Sequence, residues 1–391
     1  MDFELWWLLA FPLFFALGWV AARIDIKHLV RESRQLPRSY FKGLNFLLSE
    51  QPDKAIDAFI EAVRVDPQTV ELHFALGSLF RRRGETDRAI RMHQNLVERA
   101  DLADEQRLNA LSELGQDYLK AGLLDRAEDA FGRLRGSALN ETALKYLLEI
   151  YQQEKEWSKA AEIAKELPDH SGHLWQKEIA NFYCEMATAE LTRSNYEVAR
   201  SLLEQALGLH RKCVRANLLL GDVVADEGDP AAAIEIWRRV EQQDPVYLAL
   251  VAGRIREAYV SIGRPEEGLR LVRSYMESYP SLDLLDTVFQ WQLEANGSDE
   301  AYRLVRDELR RNPTLIGLDK LLEAALLTIP TEMRSDLELV KGLIHSHTRR
   351  VARYRCDDCG FKARQFYWRC PACGGWETYP PRRTEEFDLA P

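Results

Sequence analysis

The sequence is poor in the residues that mark several function classes. Glycine (21) and proline (15) are too scarce in 391 residues for a low-complexity or collagen-like chain. Six cysteines are too few for a disulfide scaffold, and four of them fall in the last tenth of the chain. Basic residues are in the minority, 52 against 62 acidic, giving a net charge of -10 and a pI near 5.5. Such a balance lacks the net positive surface on which bulk nucleic-acid binding depends. No GxxxxGK[ST], GxSxG or HExxH run is present, nor a GxGxxG after a strand, so no enzyme is predicted.

What is present is globular composition, 46% apolar and 29% charged. The charge is uneven. Residues 1–48 carry a net +2 and residues 349–391 a net +3, which leaves -15 on the middle. An acidic middle between two mildly basic ends suggests three parts.

The first part holds an uncharged run at 5–22, LWWLLAFPLFFALGWVAA. As a helix it would span about 27 Å, close to the roughly 30 Å hydrocarbon core of a bilayer. Trp6, Trp7 and Trp19 lie near its ends, where interfacial aromatics belong. Asp2 and Glu4 precede it, and Arg23, Lys27, Arg31, Arg34 and Arg38 follow it. The positive flank stays inside, so the body of the chain is expected in the cytoplasm. A cleaved signal peptide would carry its positive charge ahead of the run. The expectation is a retained single-pass anchor over 1–22 and a juxtamembrane linker over 23–35.

The middle repeats. In residues 36–67, Gly43, Phe46, Ala55, Phe59, Ala62 and Pro67 stand at the tetratricopeptide positions 8, 11, 20, 24, 27 and 32. Later units show Gly77, Phe80 and Ala89, then Gly115, Tyr118, Ala127 and Phe131, then Gly221, Ala233, Trp237 and Pro245. Position 20 is held by Ala55, Ala89, Ala127, Ala160, Ala199, Ala233, Gly268 and Ala301, separated by 34, 38, 33, 39, 34, 35 and 33 residues. The spacing predicts a mainly α helical-repeat solenoid over 36–346, closed by a degenerate helix pair at 315–346. Small residues at positions 8 and 20 are expected to face each other where the two helices of a unit cross. Such arrays bind partner segments on the face lined by the first helix of each unit. Arg81, Arg82, Asn109, Gln116 and Asp222 fall on that helix and are the candidate partner-binding residues; a merely solvated face is the alternative for each.

The third part, 347–380, carries Cys356-x2-Cys359-x10-Cys370-x2-Cys373, followed by a tail at 381–391. Two C-x2-C knuckles bring four thiolates to a tetrahedron, the arrangement Zn²⁺ takes with sulfur; iron suits the same ligands. Gly360 and Gly374 close the knuckles, where they are expected to aim backbone N–H groups at sulfur. A module this small needs its metal to fold. Tyr354, Phe361, Tyr367, Trp368 and Trp376 would complete its core or form a docking surface. Arg349, Arg350, Arg353 and Arg355 precede it, a lead-in that a nucleic-acid-binding zinc ribbon would also have. Cys184 and Cys213 are expected to be inert buried thiols. Asp169, His170 and His173, like His345 and His347, lack a third placed ligand.

Several stretches resemble the lipopolysaccharide assembly protein B family: GLNFLLSEQPDKAIDAF at 43–59, GSLFRRRGETDRAIRMHQ at 77–94, YLKAGLLDRAEDAF at 118–131 and YRCDDCGF…YWRCPACGGW at 354–376. The resemblance implies an inner-membrane protein facing the cytoplasm, with a rubredoxin-like module packed on its repeats. It implies a regulator of lipopolysaccharide synthesis that promotes degradation of the LpxC deacetylase by the FtsH protease and is opposed by a PbgA (YejM)-type membrane regulator. A scaffold for assembly enzymes is the alternative, and a homo-oligomer is compatible with either. The family's four metal cysteines map onto Cys356, Cys359, Cys370 and Cys373, for one Zn²⁺ or Fe.

Overall fold

A computed structural model of the chain describes residues 38–49, 51–65, 69–168 and 175–385. The expected anchor and linker lie outside the described residues, as do Pro67, the cluster of Asp169, His170 and His173, and the tail from 386. Among the described residues, no helix is long and apolar enough to cross a membrane.

The chain divides into two units, Met1–Glu154 and Lys155–Pro391. The first contains α1 (Arg38–Leu48), α2 (Pro52–Val65), α3 (Val70–Arg82), α4 (Thr86–Glu98), α5 (Asp104–Lys120), α6 (Leu124–Gly132) and α7 (Asn140–Glu154). The second contains α8 (Trp157–Glu166), α9 (Gln176–Thr192), α10 (Tyr196–Leu209), α11 (Val214–Asp226), α12 (Pro230–Arg238) and the short α13 (Val240–Gln243). A 3₁₀ turn (Pro245–Tyr247) leads into α14 (Leu248–Ser261), α15 (Pro265–Ser278), α16 (Leu282–Asn296), α17 (Ser298–Arg311), α18 (Leu315–Thr328) and α19 (Thr331–Val351). These are antiparallel helical hairpins joined by short turns, a tetratricopeptide architecture.

Local chemistry sets the boundaries. Between the paired helices the chain reverses through residues such as Gly122 and Gly228, whose φ of 73° and 92° a side chain would resist. Asp229 caps α12 by accepting from Ala232 N at 2.9 Å, with Pro230 in the first turn. Thr314 caps α18 in the same way, accepting from Gly317 N at 3.0 Å.

The position-20 alanines are all fully buried, as the period requires. The nearest neighbour of position 8 is the position-24 ring. A Cβ added at Gly43, Gly115 or Gly221 would meet the position-24 ring of Phe59, Phe131 or Trp237, at 3.0, 2.7 and 2.2 Å. The first helix is thinned so that an aromatic on the second helix can lie against its backbone. In the second repeat the ring is His93, 2.4 Å from a Cβ placed on Gly77.

The last part is a three-stranded antiparallel sheet in the order β2–β1–β3, with β1 Ala352–Arg355, β2 Lys362–Ala363 and β3 Thr384–Glu385. The boundary expected at 346/347 falls inside α19, which runs directly into β1. The module also reaches past 380, because Thr384 and Glu385 pair with Arg353 and Ala352.

Candidate metal centre docked on the repeats

Cys356 follows β1 directly, and the β1–β2 hairpin pairs Tyr354 with Ala363 and Arg355 with Lys362, so the first knuckle hangs from its end. The second knuckle is held by a bridge between Arg369 and Trp376. The two close alike. Cys356 N donates to Phe361 O at 2.9 Å and Gly360 N to Cys356 O at 3.0 Å; Cys370 N donates to Gly375 O at 2.8 Å and Gly374 N to Cys370 O at 2.9 Å. Both glycines have φ of 74°. Their own N–H groups bond to carbonyl oxygen, and the turns they permit aim other backbone N–H groups at sulfur, as expected. The groups that reach sulfur are inner ones, Asp358 and Cys359 at Cys356, Ala372 and Cys373 at Cys370.

The four Sγ atoms all lie within 4.8 Å of one another, Cys356 to Cys373 at 3.8 Å and Cys359 to Cys370 at 3.7 Å. A tetrahedron with metal–sulfur bonds of about 2.3 Å has edges of about 3.8 Å, which these two pairs match, so the donor set suits a single tetrahedral ion. Zn²⁺ or Fe would be held by these four thiolates, and it would supply the positive charge that lets them sit together.

The protonation of the thiols makes the same point. Burial raises the Cys356 thiol, but hydrogen bonds from Thr378 and from the backbone of Cys359 and Asp358 outweigh it and bring it down to about 6. At Cys359 a backbone N–H from Phe361 favours the thiolate, yet desolvation and the contacts with Cys356, Cys370 and Cys373 win, pushing it up to about 12. One thiol ionises readily and the next resists. A bound cation removes that conflict.

The aromatics of the module sort into two groups. Tyr354, Phe361 and Tyr367 surround Tyr379, which is fully buried and donates through its hydroxyl to Tyr354 O at 3.0 Å. Trp368 and Trp376 instead dock on the repeats. Trp376 meets Phe182 and Trp157 edge-on, each at 6.0 Å between centroids. Trp368 stacks on Tyr247 at 5.4 Å and 2°. The Arg215 guanidinium lies over both indoles, 5.9 Å from Trp368 and 5.7 Å from Trp376, with Nη1 2.8 Å from Glu185 Oε1.

Polar contacts fix the register. Asn181 Nδ2 donates to Glu377 Oε1 at 2.9 Å, and Lys177 Nζ stands 4.0 Å from Glu377 Oε2. Glu377 holds a φ of 54°, a conformation a non-glycine residue adopts at a cost. Arg383 Nε donates to Asp283 Oδ1 at 2.7 Å. Trp157 opens α8, and the other docking residues come from α9, α11, the turn into α14, and α16, the first-helix side of four successive hairpins. Metal site and second-unit repeats thereby form one structural unit.

The chain matches the rubredoxin metal-binding domain over residues 354–381 and the tetratricopeptide repeat over 42–101 and 184–247. It is 36% identical over 379 residues to lipopolysaccharide assembly protein B of Escherichia coli (strain K12), covering 96% of this chain and 97% of that protein. The protein of the same name from Haemophilus influenzae is 31% identical, with 97% and 98% covered. The chain belongs to the lipopolysaccharide assembly protein B family.

Of the expected partner-binding residues, Arg81, Arg82, Asn109 and Gln116 lie in the first unit and Asp222 in the second. Arg81 on α3 is tied to α5, its Nη2 2.6 Å from Glu113 Oε2 and its Nη1 2.7 Å from Asp117 Oδ1. Arg82 and Asn109 are exposed, and Gln116 is half-buried. Asp222 lies in the second unit and pairs with Arg254 of the next hairpin, at 2.6 Å from Oδ1 to Nε. Arg81 and Asp222 thus join consecutive first helices. Cys184 and Cys213 are buried with their sulfurs 3.9 Å apart, and burial pushes the Cys184 thiol up, as inert thiols require. His345 is not idle: its Nδ1 lies 2.9 Å from Asp319 Oδ2.

Asn181, Glu377, Arg215, Trp157 and Tyr247 were not singled out in the sequence, nor was His93, whose Nδ1 sits 2.5 Å from the buried Asp117 Oδ2. Only His93 carried a signal: it stands where Phe59, Phe131 and Trp237 stand in other repeats.

Proposed function

We propose that the chain is a membrane-tethered, cytoplasm-facing adaptor that restrains lipopolysaccharide synthesis by promoting degradation of the LpxC deacetylase by the FtsH protease, without catalysing a reaction itself. The observation that carries this reading is the match of repeats and metal module together, along 96% of the chain, to a lipopolysaccharide assembly protein. Helical repeats bind a partner without altering it, which is what an adaptor requires. The apolar run at 5–22 would confine it to the membrane of a protease it serves, raising their effective concentration. A PbgA (YejM)-type regulator would act on the same assembly.

The nucleic-acid reading of the zinc ribbon is the weaker one. Trp368 and Trp376, which such a ribbon would stack on bases, are covered by Tyr247, Phe182 and Arg215. The test is the half-life of the LpxC deacetylase in cells depleted of the chain, with FtsH present. A longer half-life supports the adaptor. An unchanged half-life with failed lipopolysaccharide assembly replaces it with a scaffold of assembly enzymes.

A further inference from the structure

The second unit holds a cavity of about 680 Å³. It is bounded by the turn into α14, the loops before α16 and α18, and residues 382–383, which lead into β3. Its walls are mostly apolar, with Pro245, Val246, Tyr279, Pro280, Leu284 and Leu285 among them. Val246 and Tyr279 are left 42% and 36% exposed. A concave, mostly apolar surface of this size with a few polar groups is the usual form of a small-ligand site.

The polar groups select the ligand. Glu308 of α17 lines the cavity and is 8% exposed. Its Oε1 accepts from Asn312 Nδ2 at 2.7 Å, and among the described residues nothing donates to its Oε2. A carboxylate this buried is costly with one oxygen unpaired, so the site calls for a cationic donor. Arg382 lines the same cavity with the opposite charge. It is exposed and has no partner among the described residues, whereas its neighbour Arg383 is held by Asp283. An unpaired guanidinium offers the fork that a carboxylate fills. The N-termini of α16 and α18 open on the cavity at Ser281 and Thr314, a second source of positive potential for an anion.

Size sets what lies between the two charges. A sphere of this volume is about 11 Å across, and two or three extended residues span at most about 7–11 Å.

We propose that this cavity binds an apolar di- or tripeptide with both ends free. Its ammonium meets Glu308 Oε2, its carboxylate meets Arg382, and its side chains lie against Val246, Tyr279, Leu284 and Leu285. The inference stands apart from the proposed function, which needs no small ligand.

The probe is leucyl-alanyl-leucine, titrated calorimetrically into the full metal-loaded chain in detergent. The expected result is one site, with binding at least about tenfold weaker when the peptide is N-acetylated and, separately, when it is C-amidated. Glu308→Gln keeps an acceptor for Asn312, and in that variant acetylation should cost nothing further. In Arg382→Ala, amidation should cost nothing further. Unchanged thermal unfolding and metal content would show that both variants fold. No binding at the highest peptide concentration overturns the proposal. So does a blocked peptide that binds as well as the free one, which would make the cavity a seat for an internal segment of a longer chain. Blocking penalties that persist unchanged in both variants also overturn it, because the peptide then sits elsewhere.

Discussion

Glu377 Oε1 accepts a hydrogen bond from Asn181 Nδ2 at 2.9 Å, across 196 residues of sequence. Glu377 sits seven residues after Cys370 and four after Cys373, so this contact ties the second knuckle to α9. Asn181→Ala would leave a nearly buried carboxylate with only the distant Lys177 and the weak donor Cys213 Sγ, 3.9 Å away. The expected loss is about 1–3 kcal/mol of docking stability, seen as faster hydrogen exchange over residues 354–385. Glu377→Ala removes the carboxylate and keeps the strained backbone, whereas Glu377→Gly removes both. The glycine variant should be the more stable of the two by about 1 kcal/mol in thermal unfolding.

Cys356→Ser and Cys370→Ser should each release the metal and unfold the module, because the four thiolates act as one ligand set. Metal content by elemental analysis is the direct readout. Emission of Trp368 and Trp376 should shift to the red as both indoles leave Tyr247, Phe182 and Arg215. Full metal content in either variant would count against the four-thiolate site.

The repeat packing makes a paired prediction. In Gly221→Ala the new Cβ falls 2.2 Å from Trp237 Nε1, an atom that donates to Leu218 O at 3.2 Å. Overpacking there should cost about 1–3 kcal/mol. Gly208 on α10 has open space around its Cα. Gly208→Ala should be neutral or stabilising by up to about 1 kcal/mol. Denaturant midpoints of the two variants measure both effects.

Much of this was legible beforehand, and the illegible part has a physical reason. Repeats announce themselves because every unit solves the same crossing, so Ala55, Ala89 and their successors recur at a fixed distance. The knuckles announce themselves because metal geometry dictates C-x2-C. Docking obeys no period. Asn181, Arg215, Tyr247 and Asp283 come from four hairpins, and each looks like an ordinary repeat residue until the module is laid on it. The surroundings of the groove residues were hidden for a related reason. Sequence spacing places Arg81 and Asp222 on the first helix, but not the acidic or basic neighbour on the next hairpin that occupies them.

His93 shows the opposite case, a visible exception whose partner was hidden. It fills the position-24 slot over Gly77 and bonds Asp117, which also receives Arg81; Asp117 and His93 are both fully buried. His93→Phe should fit the slot, as Phe59 does over Gly43, yet leave Asp117 one partner short. Asp117→Ala should be worse, by about 3–5 kcal/mol, because Arg81 and His93 both lose their buried acceptor. Urea unfolding of both variants would rank them, and the reverse order would argue against the triad.

The measurement that bears most directly on the central claim, that metal site and second-unit repeats form one structural unit, is hydrogen exchange of the full chain with its metal bound and after chelation. Removing the metal should speed exchange in the module and also in α9 and α11, around Asn181, Phe182 and Arg215, where Trp376 and Glu377 dock. If the module alone exchanges faster while α9 and α11 stay as protected as before, the ribbon is an appendage, and the account of a metal-dependent clamp on the repeats is wrong.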